Sequence, residues 1–316
     1  MKTVSLGKTG IRVPVLAMGA ASLGSIYHPV SQQQSNETVA AALAHGVNYF
    51  DVAPYYGLTK AEKALGCALS GVPRASYTLA TKVGRYGDAL WDFSREATLR
   101  SIEESLSRLG TDYIDVIQCH DIEYGDMQQL VDEALPTLRK LRDSGVVRHI
   151  GITGYDLPLL ERVAYEQKVD TVMAYCTWTL QDRRLGPVAQ RLNVEGIGVL
   201  NASPLSMGLL TRNGAPDWHP AHEDVQRVCR AVSALCDDYG VNIAQVALQF
   251  ALTTAAENGI ASTVIGTASA ENMLDNVRWC EQPLAPELLA RIDNLMAPVL
   301  NIGWDVLPGN GGKAQK

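Results

Sequence analysis

Short apolar runs rich in β-branched residues alternate along the chain with longer stretches whose apolar positions recur at helical spacing. The extended runs predict strands at Leu16–Gly19, Tyr49–Val52, Tyr77–Lys82, Ile114–His120, Arg148–Thr153, Thr171–Tyr175, Gly198–Ala202 and Thr263–Ile265. Between them, Leu99, Ile102, Leu106 and Leu109 form one helical face, opened by Ser94 as N-cap and stopped by Gly110. A second face runs through Leu130, Val131, Ala134, Leu135, Leu138 and Leu141 before Gly145, with Pro136 as an irregularity inside it. A third joins Val225, Val228, Val232, Leu235 and Tyr239 before Gly240. At the start, Gly7-Lys-Thr-Gly10 separates two short extended runs and predicts a β-hairpin.

Strands alternating with helices, each crossover right-handed, predict an α/β fold: a closed parallel (β/α)8 TIM barrel. The N-terminal hairpin (residues 1–15) would cap it, and a C-terminal extension would follow. No linker or low-complexity segment divides the chain, so residues 1–316 read as one domain, with 308–316 as a loose tail. The rival is a doubly wound dinucleotide fold, which would place G-x-G-x-x-G after the first strand. That junction reads Met18-Gly-Ala-Ala-Ser-Leu-Gly24 and fails the spacing.

Composition narrows the function classes. The net charge of −7 and the lack of any Lys/Arg cluster longer than Arg183-Arg184 argue against a nucleic-acid binder. Mean hydropathy is near zero, no apolar run approaches membrane-spanning length, and the N-terminus does not read as a signal peptide; the cytoplasm is the expected location. The six cysteines show no metal-ligand spacing, no metal is expected, and Cys229 and Cys236 read as small core residues.

In a parallel barrel the reactive face lies at the C-terminal ends of the strands. Asp51, Lys82 and His120 end three predicted strands, and Tyr56 follows Asp51 closely. Singly, each has an ordinary structural role. Together they form a proton-transfer device. A phenol is a poor base near neutrality, a neighbouring lysine cation lowers its pKa, and a carboxylate holds that cation. A histidine can then hydrogen-bond the substrate oxygen.

These same segments resemble the aldo-keto reductases. Gly46-Val-Asn-Tyr-Phe-Asp51-Val-Ala-Pro-Tyr-Tyr56-Gly57 is similar to the family signature, as are Ala80-Thr-Lys82-Val and Asp112-Tyr-Ile-Asp-Val-Ile-Gln-Cys-His120. Ser203-Pro-Leu-Ser-Met-Gly-Leu-Leu210 and Val264-Ile-Gly-Thr-Ala-Ser-Ala-Glu-Asn-Met-Leu-Asp-Asn276 extend the likeness, which runs from about residue 2 to 297. The resemblance implies Tyr56 as acid/base, Lys82 and Asp51 as its tuning pair, and His120 as the group that orients the substrate. Lys82-Val-Gly-Arg-Tyr-Gly, Trp91-Asp-Phe-Ser, Cys119-His-Asp-Ile-Glu-Tyr-Gly125 and Pro216-Asp-Trp-His-Pro220 resemble, more narrowly, the L-galactose dehydrogenase and D-threo-aldose 1-dehydrogenase group. That implies oxidation of a sugar at its anomeric carbon to a lactone. A pyridoxal dehydrogenase, a broad carbonyl reductase and a nucleotide-sensing subunit are the alternatives.

For the cofactor, the resemblance implies contacts from Gly19, Ala20, Asp51, Thr153, Ser203, Pro204, Leu205, Ser206, Gly208, Gly266, Thr267, Ala268, Ser269, Asn272 and Asn276. Ser269 also reads independently as the N-cap of a helix, whose free N–H groups suit a phosphate. Many relatives carry basic residues where Gly266 and Asn272 stand, and their absence implies NAD rather than NADP. Two departures are visible. Alanine stands at 202, where many relatives place a nicotinamide-stacking aromatic, and Val172–Trp178 lacks the usual carboxamide-binding glutamine, leaving Tyr175 or Trp178 for that contact. Substrate contacts are expected from Tyr56, His120, Asp121 and Trp178. Trp91, Trp218 and Trp304 are candidate sugar-lining rings. The expected partner is a sugar, and the expected state a monomer or small homo-oligomer.

Overall fold

The computed structural model describes residues 1–304, so the expected tail at 308–316 lies outside the described residues. Strands β1 (Thr3–Ser5) and β2 (Arg12–Pro14) pair antiparallel as the predicted hairpin. The barrel strands are β3 (Leu16–Gly19), β4 (Tyr49–Asp51), β5 (Thr78–Val83), β8 (Ile114–Cys119), β9 (Val147–Gly154), β10 (Thr171–Tyr175), β11 (Gly198–Ala202) and β12 (Ser262–Gly266). Each pairs in parallel with its neighbour, and β12 pairs with β3 to close the ring. Predicted and observed bounds differ by a residue at several ends. No helix among the described residues is long and apolar enough to cross a membrane.

Side chains on a strand alternate between faces. Ala17, Tyr49, Ala80, Val116, Met173, Leu200 and Val264 pack with Leu6 and Val13 of the hairpin inside the barrel. Their sequence neighbours Leu16, Phe50, Leu79, Ile117 and Val172 pack outward against the helices. The hairpin therefore plugs the N-terminal end of the barrel. Two residues beyond each inward apolar position lie Gly19, Asp51, Lys82, Gln118, Tyr175, Ala202 and Gly266, at the opposite rim. Strand parity thus carries Asp51, Lys82, Gln118 and Tyr175 to that rim.

The helices follow their patterns with three corrections. Ser94 Oγ accepts the Ala97 N–H at 3.2 Å and Gly110 ends helix Arg95–Leu109 with φ 65°. Its buried stripe, however, is Ala97, Thr98, Ser101, Ile102, Ser105 and Leu109, while Leu99 is exposed. Small side chains let this helix approach the barrel closely, which a count of large apolar residues overlooks. Before Pro136, the segment Leu130–Ala134 is a π-turn in which the Leu135 N–H reaches the Leu130 carbonyl. A proline offers no N–H and crowds the carbonyl four residues back, and a shifted register relieves both. Helix Glu223–Asp238 buries Val225, Val228, Val232 and Leu235 together with Cys229 and Cys236, while Tyr239 just beyond it is exposed.

One element has no counterpart in the sequence pattern. Strands β6 (Arg85–Gly87) and β7 (Leu90–Trp91) form a second antiparallel hairpin directly after β5. Strands this short carry too few residues for alternation to register. Phe93 anchors its base: the ring fills the space where a Cβ on Gly84 or Gly125 would stand. Gly84 also has φ +97°, a backbone state that other residues adopt only with strain.

Candidate active site

Asp51, Lys82 and Gln118 meet at the rim as alternation requires. Lys82 Nζ pairs with Asp51 Oδ1 and donates to the Val52 carbonyl at 2.9 Å. Gln118 Nε2 donates to the other Asp51 oxygen at 2.7 Å. A buried carboxylate unpaired would be costly, and here both oxygens are satisfied. Tyr56 arrives on the turn after β4. Gly57, at φ +60°, lets that turn press against Gly24, where any side chain would collide. The Tyr56 ring stands edge-on to His120, centroids 5.5 Å apart, and Lys82 Nζ lies 5.1 Å from the Tyr56 centroid. The four predicted residues thus come together.

Their electrostatics differ from expectation. Withdrawal from water pushes the Tyr56 phenol well above its ordinary 10, and the Asp51 and Asp121 charges push it further; Arg85 is the cation that opposes them. Lys82 was expected to draw the phenol down. Burial and the Asp51 carboxylate that pairs with Lys82 outweigh it. Burial, with the Lys82 and Arg85 charges behind it, holds His120 well below 6.5, so the imidazole is neutral. The floor thus offers a phenol and a neutral imidazole.

Asp121 follows His120 with a left-handed backbone, φ 49°. One carboxylate oxygen takes Arg85 NH1 at 2.5 Å, and the other lies 3.3 Å from Thr153 Oγ1. Arg85 spreads 3.8 Å above the Tyr55 ring, and Tyr55 OH donates to Asp88 in the β6–β7 turn. The second hairpin therefore grips the tyrosine loop at two points. Arg85, Gln118 and the hairpin were all missed. The available signal was Gln118 standing two residues before His120, on the same strand face.

Aromatic rings line the rim. Trp91 packs on Tyr124 at 5.4 Å on one side. On the other, Tyr175 meets Tyr155 at 5.5 Å, and Tyr155 stacks on Trp304 at 4.4 Å. His219 abuts Trp304, and Trp218 lies over His219. Tyr155 is fixed by Arg184 NH2, 2.9 Å from its hydroxyl, and Arg184 by Asp182. Trp178 does not join them. Its ring is buried, stacked on Phe250 and set against Gly186 behind the barrel, so the expected substrate contact is not made there. The sequence pattern could not separate a rim tryptophan from a core one three residues past a strand. Tyr175 holds the rim instead, in register with Ala202.

The profile of the aldo/keto reductase family matches residues 15–297. The chain belongs to the aldo-keto reductase family. It is 40% identical to an L-galactose dehydrogenase of Arabidopsis thaliana over 95% of this chain and 96% of that one. It is 32% identical to a D-arabinose 1-dehydrogenase of Saccharomyces cerevisiae, covering 84% and 83%. Among solved structures, the holo form of a Bacillus halodurans aldo-keto reductase superposes with a TM-score of 0.76 at 26% identity, over 93% of this chain and 96% of that one.

As an aldo-keto reductase, the chain is an oxidoreductase that uses a nicotinamide cofactor, and the rim fits one. The loop after β11 holds left-handed backbone at Ser203, Ser206, Met207 and Gly208, a conformation that costs about 1–3 kcal/mol at each non-glycine position and concentrates at ligand sites. Ser206 Oγ is buried there with no hydrogen-bond partner among the described residues. The Ala221 N–H donates to His219 Nδ1, so Nε2 carries the proton and donates to the Ser206 carbonyl at 2.9 Å. This ties the loop to the aromatic side of the rim. Pro204 and Leu205 complete the loop, and Leu205 packs on the core beneath it. Gly266 is exposed, with only Ser22 Oγ (3.5 Å) and the Gly19 carbonyl (3.8 Å) near its missing Cβ. After Thr267 and Ala268, Ser269 caps helix Ala270–Glu281 by accepting the Asn272 N–H. Asn272 is exposed and Asn276 buried. Among the other predicted contacts, Ala20 is buried beneath the rim, and Asp51 and Thr153 Oγ1 already have protein partners.

Proposed function

We propose that this aldo-keto reductase oxidises a ring-closed aldose at its anomeric carbon, with NAD as hydride acceptor, to give the lactone. The observation that carries the reading is the rim of aromatic rings around a phenol–imidazole floor. The C–H faces of a pyranose suit such rings, while its hydroxyls need the polar groups between them. The names of the L-galactose and D-arabinose dehydrogenases support the same substrate class.

The anomeric C–H bond breaks with its electron pair, the O–H proton passes to Tyr56, and C1 becomes the lactone carbonyl. The bound nicotinamide supplies the acceptor for the hydride. Neutral His120 holds the substrate oxygen, and Lys82 with Asp51 braces the floor. Because burial raises the Tyr56 pKa, the base form is scarce near neutrality and oxidation is favoured at alkaline pH.

For NAD over NADP, the support is charge. A 2′-phosphate carries close to two negative charges. Gly266 and Asn272 offer it none in return, Glu271 lies in the first helical turn, and Arg278 is paired with Asp275. Asp51, Tyr56, Lys82 and His120 meet within one chain, which supports a site that needs no residue from a second copy.

The test is NADH absorbance with L-galactose, L-fucose, D-arabinose and pyridoxal, using NAD and NADP in parallel. Sugar oxidation with NAD should lead. Pyridoxal in first place, or faster aldehyde reduction with NADPH, replaces the reading. Tight cofactor binding without turnover of any substrate would point to a nucleotide-sensing subunit.

A further inference from the structure

Two groups compete for one oxygen beside the reaction floor. Asp121 Oδ2 lies 3.7 Å from His120 Nε2, too far for a hydrogen bond, and 2.5 Å from Arg85 NH1. We propose that Arg85 is a positioning residue of the reaction: its guanidinium occupies Asp121, so that the carboxylate does not capture the imidazole beside it.

The construction favours this role. Arg85 is held over Tyr55 at 3.8 Å and beside Trp91 at 4.9 Å, and is delivered by the hairpin that Phe93 anchors. Its Nε is buried without a partner among the described residues, while NH1 is aimed at Asp121. With Arg85 removed, Asp121 is a buried carboxylate without its cation. The nearest group able to become one is His120, and a short rotation converts 3.7 Å into a charged hydrogen bond. An imidazolium pinned to Asp121 no longer meets the substrate oxygen.

Other charges face this pair. Lys82 lies beneath His120 with its charge balanced by Asp51, and Tyr55 and Tyr56 close the ring on the loop side. Glu123 and Tyr175 face Asp121, and burial leaves both protonated at neutral pH, so neither supplies a competing charge. The lowered pKa of His120, to which Arg85 contributes, agrees with the arrangement.

The inference rests on reading His120 as the group that meets the substrate oxygen, so its test has a readout that needs no substrate. The His120 imidazole resonance, assigned by its loss in His120→Gln, is followed from pH 5 to 8. In the wild type it should stay neutral throughout. In Arg85→Met its midpoint should rise by at least about one pH unit into that range, with kcat falling tenfold or more on the acid side. Adding Asp121→Asn removes the carboxylate that would pin it and should return the imidazole to neutral, whatever the double variant does to turnover. Arg85→Lys, which keeps the cation without the planar fork, should leave His120 neutral and covers the case in which the methionine variant does not fold. A neutral His120 in Arg85→Met, or a titrating one in Arg85→Lys or in the double variant, would overturn the proposal and leave Arg85 as a hairpin anchor. If His120 behaves as stated and no sugar is oxidised, the substrate reading fails and this one stands.

Discussion

Glu123 is a carboxyl the fold keeps protonated, and its replacement by glutamine should stabilise the protein at alkaline pH. It sits on the turn Ile122–Tyr124, where Oε1 accepts the Tyr155 N–H at 2.7 Å and Oε2 is buried without a partner among the described residues. The carboxyl lies flat on Gly154, where a Cβ would overlap it. Burial first, and then the Asp121 charge, push its pKa from 4.5 up to about 8. A pKa raised by folding contributes stability that is complete below the unfolded value and lost as pH rises through the folded one. At about 1.4 kcal/mol per pH unit, the loss across this interval has a ceiling of about 5 kcal/mol. Glutamine keeps the acceptor for Tyr155 and has no proton to lose. Guanidinium unfolding of wild type and Glu123→Gln at pH 5 and pH 8.5 gives four free energies. The cost of keeping His120 neutral is common to both proteins and cancels in the difference. The variant should gain roughly 2–5 kcal/mol on the wild type between the two pH values. A change under about 1 kcal/mol, or of opposite sign, would refute the assignment of Glu123 as a buried neutral acid.

Tyr56→Phe should lower kcat by about 10²–10⁴-fold while the NAD dissociation constant, read from protein fluorescence, stays within a few-fold. In the wild type, kcat for oxidation should climb toward tenfold per pH unit between pH 7 and 9, since folding raises the Tyr56 pKa; a flat profile there would contradict the role of Tyr56 as base. Lys82→Met strands Asp51 as a buried anion and should cost about 3–5 kcal/mol in denaturant unfolding, much of it recovered by adding Asp51→Asn. Gly266→Lys with Asn272→Arg should narrow or reverse a preference for NAD by kcat/KM, each charged hydrogen bond contributing roughly 1.5–3 kcal/mol, and a Cβ at 266 meets only ordinary contacts.

The barrel was legible because its two periodicities are strong. Runs such as Ile114–Cys119 are buried throughout, and the glycine stops fall where helices end, as at Gly110. The tetrad was legible because Asp51, Lys82 and His120 sit at strand ends, where a barrel collects them. What escaped reading depends on contacts between segments distant in sequence. The β6–β7 hairpin is too short to carry a period, yet it brings Arg85 to Asp121, 36 positions away. Trp178 and Tyr175 are near neighbours in sequence, yet the chain passes through left-handed backbone at Cys176, φ 58°, between them, and one ring stands at the rim while the other packs in the helix layer. The Tyr56 pKa was misjudged because burial, which no sequence pattern displays at a loop position, raises it first and the Asp51 charge adds to that.

The plugged end of the barrel has a kinetic consequence. Leu6 and Val13 lie fully buried beneath a packed interior, so the N-terminal end is shut and the rim is the doorway of a closed-bottomed vessel. On the proposed sugar-oxidation reading, substrate and product share that doorway. Ligands layered one above another in such a vessel leave in the reverse of the order in which they came. The last to enter is the first released, and a product slow to clear the doorway blocks the next substrate from it.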